Sequence, residues 1–418
     1  MEALKQMSKR VDKNGSSGGG NDRELLKWNH LVYTKMTPLS VISQKNLQIF
    51  NSQSINYNET SSSIDFVFQS GSNLVGPGSC IEFELTVEAT TGATFDFGEG
   101  SSMNLFRDAI LMSRQGDEVD RCNHVNVYEA NKSLLRPKSW FETTGSLMGY
   151  DKKLIAKDTS TFFSIPLEYI LPVFATGRLI PSQLMSGARL QLNLEKDIKR
   201  LFKFNAASTA IKWKIENVRM SLSLSMPNDA TQTILRDNAS SNALDFQFAS
   251  VYTQKTKQPE SISEQISKSV GRALKLYVVP LNDPFVDPAA DPQVPTNAKL
   301  FMTPQNVGYK DAQVRAGSLY LPQYRLNKDQ IYHYSLQACG KLGQSVRFNK
   351  TDSDAKGNIF LSDLESHHLI KYSGQSLNNI RVLYVECAYT DTDPKETFLF
   401  LEYAREVRIY NNSVAVDS

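Results

Sequence analysis

The chain has 418 residues, a length that fits two domains of about 200 residues each. Its 40% hydrophobic content, with Phe 21 and Tyr 17, excludes global disorder. Lys+Arg 46 against Asp+Glu 44 leaves a formal net charge of +2, which excludes a surface built to wrap nucleic acid everywhere and restricts any such contact to a local patch. In chain order, residues 1–24 combine Lys5, Lys9, Arg10, Lys13, Asp22, Arg23 and Glu24 with the Ser16–Gly20 run, a flexible tail composition; ordered structure is expected from Leu25 or Trp28. Met1–Gly20 has no apolar centre and does not read as a secretory signal, so the cytosol is the expected compartment. Ile81, Phe83, Leu85 and Val87 alternate with Glu82, Glu84, Thr86 and Glu88, the period of a half-buried strand. Helices are expected over 103–112, 127–135 and 259–272, the last on Ile262, Ile266 and Val270 spaced by four. Strands are expected at 190–194, 218–226, 274–278, 380–388 and 398–409. In the last, Leu399, Leu401, Tyr403, Val407 and Ile409 share a face opposite Glu402, Glu406 and Arg408. Turn-rich connections, 283–298 with four prolines and 349–358, separate them. Short Leu276–Leu281, broken by Pro280, is far from the roughly 18 apolar residues of a membrane span.

Many short strands with elaborate loops indicate an all-β sandwich or barrel. A faint duplication adds to this. Ile64-Asp-Phe-Val-Phe-Gln-Ser70 is echoed by Leu244-Asp-Phe-Gln-Phe-Ala-Ser250, and the segments at 81–87, 190–194 and 218–226 have counterparts at 274–278, 382–385 and 398–409. The offsets suit two copies of one β fold, with the boundary near Pro227–Asn242.

Motifs that would carry chemistry fail on spacing. The five His (30, 124, 333, 367 and 368) form no H-x-H or H-x-x-x-H, so the ligand set of a cupin-type metal site is missing. Asp352, Asp354, Gly357 and Asp363 fall at calcium-loop positions, but Lys356 stands where an oxygen ligand is required. Cys339-Gly-Lys-Leu lacks the first glycine and the Ser/Thr of a phosphate loop, and Gly145-Ser-Leu-Met-Gly149 lacks the central serine of a nucleophile elbow. Cys80, Cys122, Cys339 and Cys387 are scattered singly and read as reduced thiols. Glu82–Glu84–Glu88 reads as a solvated strand face, beside a second acidic run at Asp117–Glu118–Asp120. No catalytic, cofactor-binding or metal residue is assigned, and no enzyme is expected.

Two segments resemble a known group. Ile110-Leu-Met-Ser-Arg-Gln-Gly-Asp-Glu-Val-Asp-Arg121 is similar to the strand and S-R-x-G-x-E-x-D/E-R segment early in the first jelly-roll of major capsid proteins from Polinton-like viruses and virophages. Tyr372-Ser-Gly-Gln-Ser-Leu-Asn-Asn-Ile-Arg-Val-Leu-Tyr-Val-Glu386 resembles the approach to the late strands of their second roll. The resemblance implies an all-β double jelly-roll: two tandem eight-stranded sandwiches with a few short helices in loops, at 25–230 and 231–418 behind the 1–24 tail. It further implies a homotrimer forming a pseudo-hexameric capsomer of an icosahedral virion, assembled in the host cytoplasm or nucleus. The expected partners are neighbouring capsomers, penton and minor capsid proteins, with the tail on the interior near genome or an internal membrane. A glycan-binding or adhesive β-sandwich is the first alternative, though an adhesin would usually be exported. A cupin-like jelly-roll enzyme is the second, without the histidines it needs. Chelation with EDTA is expected to leave the melting temperature unchanged. A drop of many degrees, restored by calcium, would identify Asp352–Asp363 as a calcium loop.

Overall fold

The period-two pattern builds strands throughout the computed structural model. It describes residues 46–417 apart from 55, 89–93, 151–154, 157, 206–211, 242–243, 259, 283–296, 299–307, 342–343, 345, 347–358, 366–374, 378–381, 391–394 and 411–413. The 1–24 tail, Asp352, Asp354, Gly357 and His367–His368 therefore lie outside the described residues. Among the described residues, eight main strands form the first sandwich: β1 (Asn46–Asn51), β2 (Ser63–Val67), β3 (Cys80–Glu88), β4 (Phe106–Met112), β5 (Glu118–Asn123), β6 (Thr161–Pro166), β7 (Arg189–Leu194) and β8 (Lys212–Ser225), with the two-residue segments Tyr57–Asn58 and Leu74–Val75 also paired to β8. Eight more form the second: β9 (Leu244–Gln258), β10 (Ser261–Gln265), β11 (Val270–Asn282), β12 (Tyr309–Ala316), β13 (Leu319–Asn327), β14 (Phe360–Asp363), β15 (Leu383–Tyr389) and β16 (Lys395–Ile409).

In the first sandwich the sheets run β1-β8-β3-β6 and β2-β7-β4-β5; in the second they run β9-β16-β11-β14 and β10-β15-β12-β13. Counted within each half, both read 1-8-3-6 facing 2-7-4-5, the jelly-roll order. The chain is thus an all-β double jelly-roll. In each half a helix follows the fifth strand: α1 (Val125–Leu134) in the first, and α3 (Lys328–Ala338) in the second. Between the rolls lies α2 (Asp229–Ser241). Asn327 and Gln330 close a reciprocal capping box at the start of α3, at 3.0 and 2.9 Å, which lets β13 pass directly into the helix.

The strand expected at 81–87 is β3, with Ile81, Phe83, Leu85 and Val87 buried. Segments 190–194, 218–226, 274–278 and 398–409 fall in β7, β8, β11 and β16, and β15 lies within the region read at 380–388 and one residue beyond it. Of the helices, 127–135 falls almost wholly in α1, but the other two expectations are wrong. Residues 102–105 make one 3-10 turn and 106–112 are β4, which has the core on one side and α1 on the other and is buried over most of its length. A strand covered on both faces loses the polar alternation, so its apolar run imitates a helix. Residues 261–265 are β10, and Val270 opens β11. Ile262, Ile266 and Val270 do face one core, but a spacing of four also satisfies a period of two.

Three of the four duplicated pairs join equivalent strands: third with third, seventh with seventh and eighth with eighth. The most similar-looking pair does not. Ile64–Ser70 overlaps the second strand of its roll and Leu244–Ser250 lies in the first strand of the other, so that echo reflects shared alternation and not shared position.

Phe83 of β3 is 1% exposed and packs against Phe106 (5.8 Å between ring centroids) and Phe163 (5.9 Å), bridging the two sheets of the first roll. Phe83→Ala is expected to cost about 3–5 kcal/mol of unfolding free energy in a urea titration. A loss below about 1 kcal/mol would show that this contact does not hold the sandwich together.

Candidate functional site at the seam between the rolls

The outer face of the second roll's β9-β16-β11-β14 sheet packs on the fifth strand and following helix of the first roll. Cross-strand pairing sets Thr253, Phe400, Tyr277 and Leu361 in one row of that face, and Lys255, Phe398 and Val279 in the next. From α1, the Tyr128 ring meets Phe400 at 5.2 Å and Tyr277 at 5.7 Å. His124, which precedes the helix, meets Phe398 edge-on at 5.0 Å. These aromatics belong to the same continuous apolar cluster as the first roll's interior, whereas Leu276, Val278, Leu399, Leu401 and Tyr403 form a separate core inside the second. The sequence reading of β16 placed its apolar face on the odd residues. The even side chains Phe398 and Phe400 are buried as well, against the other roll.

Polar groups at the seam are matched across it. The Tyr128 hydroxyl donates to Glu402, and Lys132 Nζ stands 3.0 Å from Glu402 Oε1 and 2.9 Å from the Tyr128 oxygen. Burial alone would raise the Glu402 carboxyl; Lys132, helped by the Tyr128 hydroxyl, outweighs it and holds the group below its ordinary value. Glu396 is paired with Arg200 of the first roll and, at 2.9 Å, with Lys255. The Thr253 hydroxyl donates to the Asn123 carbonyl at 2.9 Å, and Arg405 donates to the Glu118 carbonyl at 3.0 Å.

Asp120 is the carboxylate of the S-R-x-G-x-E-x-D-R segment, and it is wholly buried here. It accepts from the Ser250 hydroxyl of the second roll at 2.7 Å and from the Val173 and Arg121 backbone N–H groups at 3.0 Å each. Burial pushes its pKa up to about 6, with those donors and Arg405 only partly offsetting the rise. Its neighbours in the acidic run behave differently: Glu118 pairs with Arg121 at 2.7 Å on the surface, and Asp117 accepts from Ser113 at 3.2 Å in the turn. Nothing in the local sequence separates the three, because the roll that covers Asp120 begins more than 100 residues later.

The far end of α1 is locked by Arg136, which pairs with buried Glu129 at 2.8 Å and is sandwiched between Trp140 (4.3 Å) and Tyr169 (4.1 Å). Asn297–Ala298, the end of the proline-rich connection, pairs with Lys203–Asn205 of the first roll, which pairs in turn with Thr94–Asp96. The end of this turn-rich connection thus joins the two rolls of one chain.

The remaining motifs stay apart. Glu82 lies against Arg219 at 2.6 Å and Glu84 accepts from Ser160 at 2.7 Å, both on the outer face of β3. Among the described residues, the four cysteines are free thiols and no group of His, Cys, Asp and Glu is placed to hold a metal.

No protein-family model and no curated protein matches the sequence. Solved structures do match. The Faustovirus major capsid protein aligns with a TM-score of 0.61 at 9% identity, covering 96% of each chain. VP54 of PBCV-1, as fitted into the reconstruction of the virophage Sputnik, gives 0.59 at 10% identity over 90% of this chain and 98% of that one. The mavirus major capsid protein gives 0.53 at 9% identity over 92% and 93%. The fold is that of the double jelly-roll major capsid proteins. The two segments that resembled virophage capsid proteins therefore pointed to the right architecture, and Asp120 in the first of them sits at the junction of the rolls.

Asp120 and His124 give the seam opposite responses to pH. Asp120 sits at about 6 against an ordinary 3.8, so its contribution to stability is full below pH 3.8 and lost as pH rises through about 6. Burial lowers His124 to about 4 from 6.5, with Asp108 opposing, so its contribution is full above pH 6.5 and lost as pH falls through about 4. The windows overlap, and single variants separate them. Asp120→Asn is expected to gain on the wild type by a margin that grows from pH 4 to 6 and then stays constant; His124→Phe is expected to gain as pH falls from 6.5 to 4. Denaturant titrations across pH measure both margins, and a pH-independent margin for Asp120→Asn would remove the buried carboxylate from this balance.

Proposed function

We propose that the chain is a major capsid protein, three copies of which form a pseudo-hexagonal capsomer of an icosahedral virion shell. The observation that carries this reading is the seam itself. Two rolls of the same topology meet through unlike surfaces: the outer sheet face of one lies on the fifth strand and helix of the other. A contact of that heterologous kind, repeated by a rotation that divides the full turn evenly, closes into a ring. With two rolls per chain, a threefold ring has six similar corners, a shape that tiles a surface. The capsid proteins of Faustovirus and mavirus, whose fold the chain shares, support the same reading. In it, residues 25–230 and 231–418 are the two building blocks. The 1–24 tail faces the interior, where its basic residues meet genome or an internal membrane. Penton and minor capsid proteins complete the shell, and assembly takes place in the host cytoplasm or nucleus. The role is structural, with no catalytic, cofactor or metal residue.

Sedimentation at micromolar concentration is expected to give a species near three times the 46.9 kDa chain mass, with a hexagonal outline in negative stain. A species at the single-chain mass at every concentration would overturn the trimer.

A further inference from the structure

Resting on the capsomer reading, the seam also indicates which surfaces meet between copies. In the first roll, β5 and α1 are covered by the second roll's sheet. Among the described residues, no sheet face lies across the equivalent elements of the second roll, β13 and α3, although one side of α3 packs through Tyr332 and Leu336 on the apolar cluster of the first roll. Among the described residues β13 is the edge strand of its sheet, beside β12. Likewise the outer face of the β1-β8-β3-β6 sheet, the counterpart of the face that covers α1, exposes Ile49 and Phe162 at its two edges, while Ser221 and Ser223 near β1 are buried. Five exposed large apolar side chains lie on these two surfaces: Leu319, Tyr320 and Tyr324 on β13, Ile49 on β1 and Phe162 on β6, each between 43% and 57% exposed. Val67, Leu147, Met226, Ile234 and Tyr410 are exposed elsewhere, as on any monomer surface; what sets these five apart is that they stand on the elements a repeated seam would bring together.

The first roll's sheet face has a seat. In β8, Asn217 and Val218 are inserted between Glu216, which opposes Glu84, and Arg219, which opposes Glu82. Asn217 takes the left-handed conformation (φ 54°) that this bulge requires. Beside the bulge is a hollow of about 320 Å³, where the exposed Phe162 ring stands among the polar residues Asn51, Ser54, Glu84, Asn217 and Arg219, with buried Phe83 and Val218 beneath. A phenol ring entering it hydroxyl-first can lie against Phe162 while its hydroxyl reaches those polar groups. On β13 the pairing with β12 runs from Leu321 opposite Val314 to Leu326 opposite Ala312, so residues 322–325 bow out against Gln313 alone. Arg325, held by Asp311 at 2.8 Å and by Glu386, pins the base of the bow, and Tyr324 stands on it.

We infer that Tyr324 of one copy seats in the hollow beside Phe162 of a second copy, and that this aromatic contact joins neighbouring chains around the ring. The contact differs from the seam inside the chain. There the sheet face is Phe398, Phe400 and Tyr277; here it carries the Glu82–Arg219 and Lys214–Glu216 pairs. A central aromatic anchor in a charged surround is the pattern of an interface formed between already folded chains.

The test uses the full chain with Cys80→Ser and Cys339→Ser, which remove the two half-buried thiols, plus Phe162→Cys and Tyr324→Cys. A short bis-maleimide is expected to link up to three chains in denaturing gels, and neither single cysteine variant is expected to go beyond background. Independently, Tyr324→Glu is expected to raise the concentration at which the trimer dissociates by at least about tenfold, the scale of an interface anchor. Its melting temperature as a monomer should not change. A wild-type trimer that shows neither cross-linking nor sensitivity to Tyr324→Glu would overturn this contact and leave the capsomer reading intact. A wild type that never trimerises would overturn both.

Discussion

Phe398, Leu399, Phe400 and Leu401 of β16 point alternately into two different cores, and the arrangement of the molecule depends on that two-sided burial. A strand of a sandwich ordinarily buries one face and shows the other to water. Here the odd residues fill the second roll while the even ones meet Tyr128 and His124 of the first. An aromatic sheet face of this kind is costly to leave in water, so the second roll needs the first to cover it. The rolls behave as one unit because a shared strand serves both interiors.

Polar residues at the seam fix its register. Glu402 between Tyr128 and Lys132, half-buried Glu396 between Arg200 and Lys255, and Asp120 under Ser250 each pair a carboxylate with a donor from the opposite roll. A buried charge contributes little net stability when paired, and costs several kcal/mol when its partner is removed. These groups therefore act against displaced packings of the same apolar faces more than they add to adhesion. The side-chain hydrogen bond to Asp120 and the backbone contact at Asn297–Ala298 lie in different parts of the seam and link different elements of the two rolls.

The two rolls share a topology but differ in what their outer sheet faces carry. The second roll's face is aromatic and covered; the first roll's has ion pairs, a bulge and a few exposed apolar side chains. In the proposed capsomer the difference suits a division of labour, in which one face is satisfied within a single chain and the other meets a second chain. The rolls share a strand order, and side-chain choice sets their outer faces apart.

Alternation alone determined that the chain is all-β, located β3, β7, β8, β11, β15 and β16, and revealed three of the equivalent strand pairs, because hydrophobic period is a local property that survives without its partners. The Ser113–Arg121 segment pointed to the capsid-protein fold. The same locality explains the errors: β4 is apolar on both faces, and the spacing of four in Ile262, Ile266 and Val270 belongs equally to a helix and a strand. Which strands neighbour one another was decided by tertiary structure, since antiparallel partners lie up to 178 residues apart, as Asn46 does from Leu224. So was the seam. Asp120 looks like Asp117 in sequence, and Phe400 looks like Leu399; what separates them is the other roll, whose arrival buries one member of each pair in a place that the residues around it do not encode.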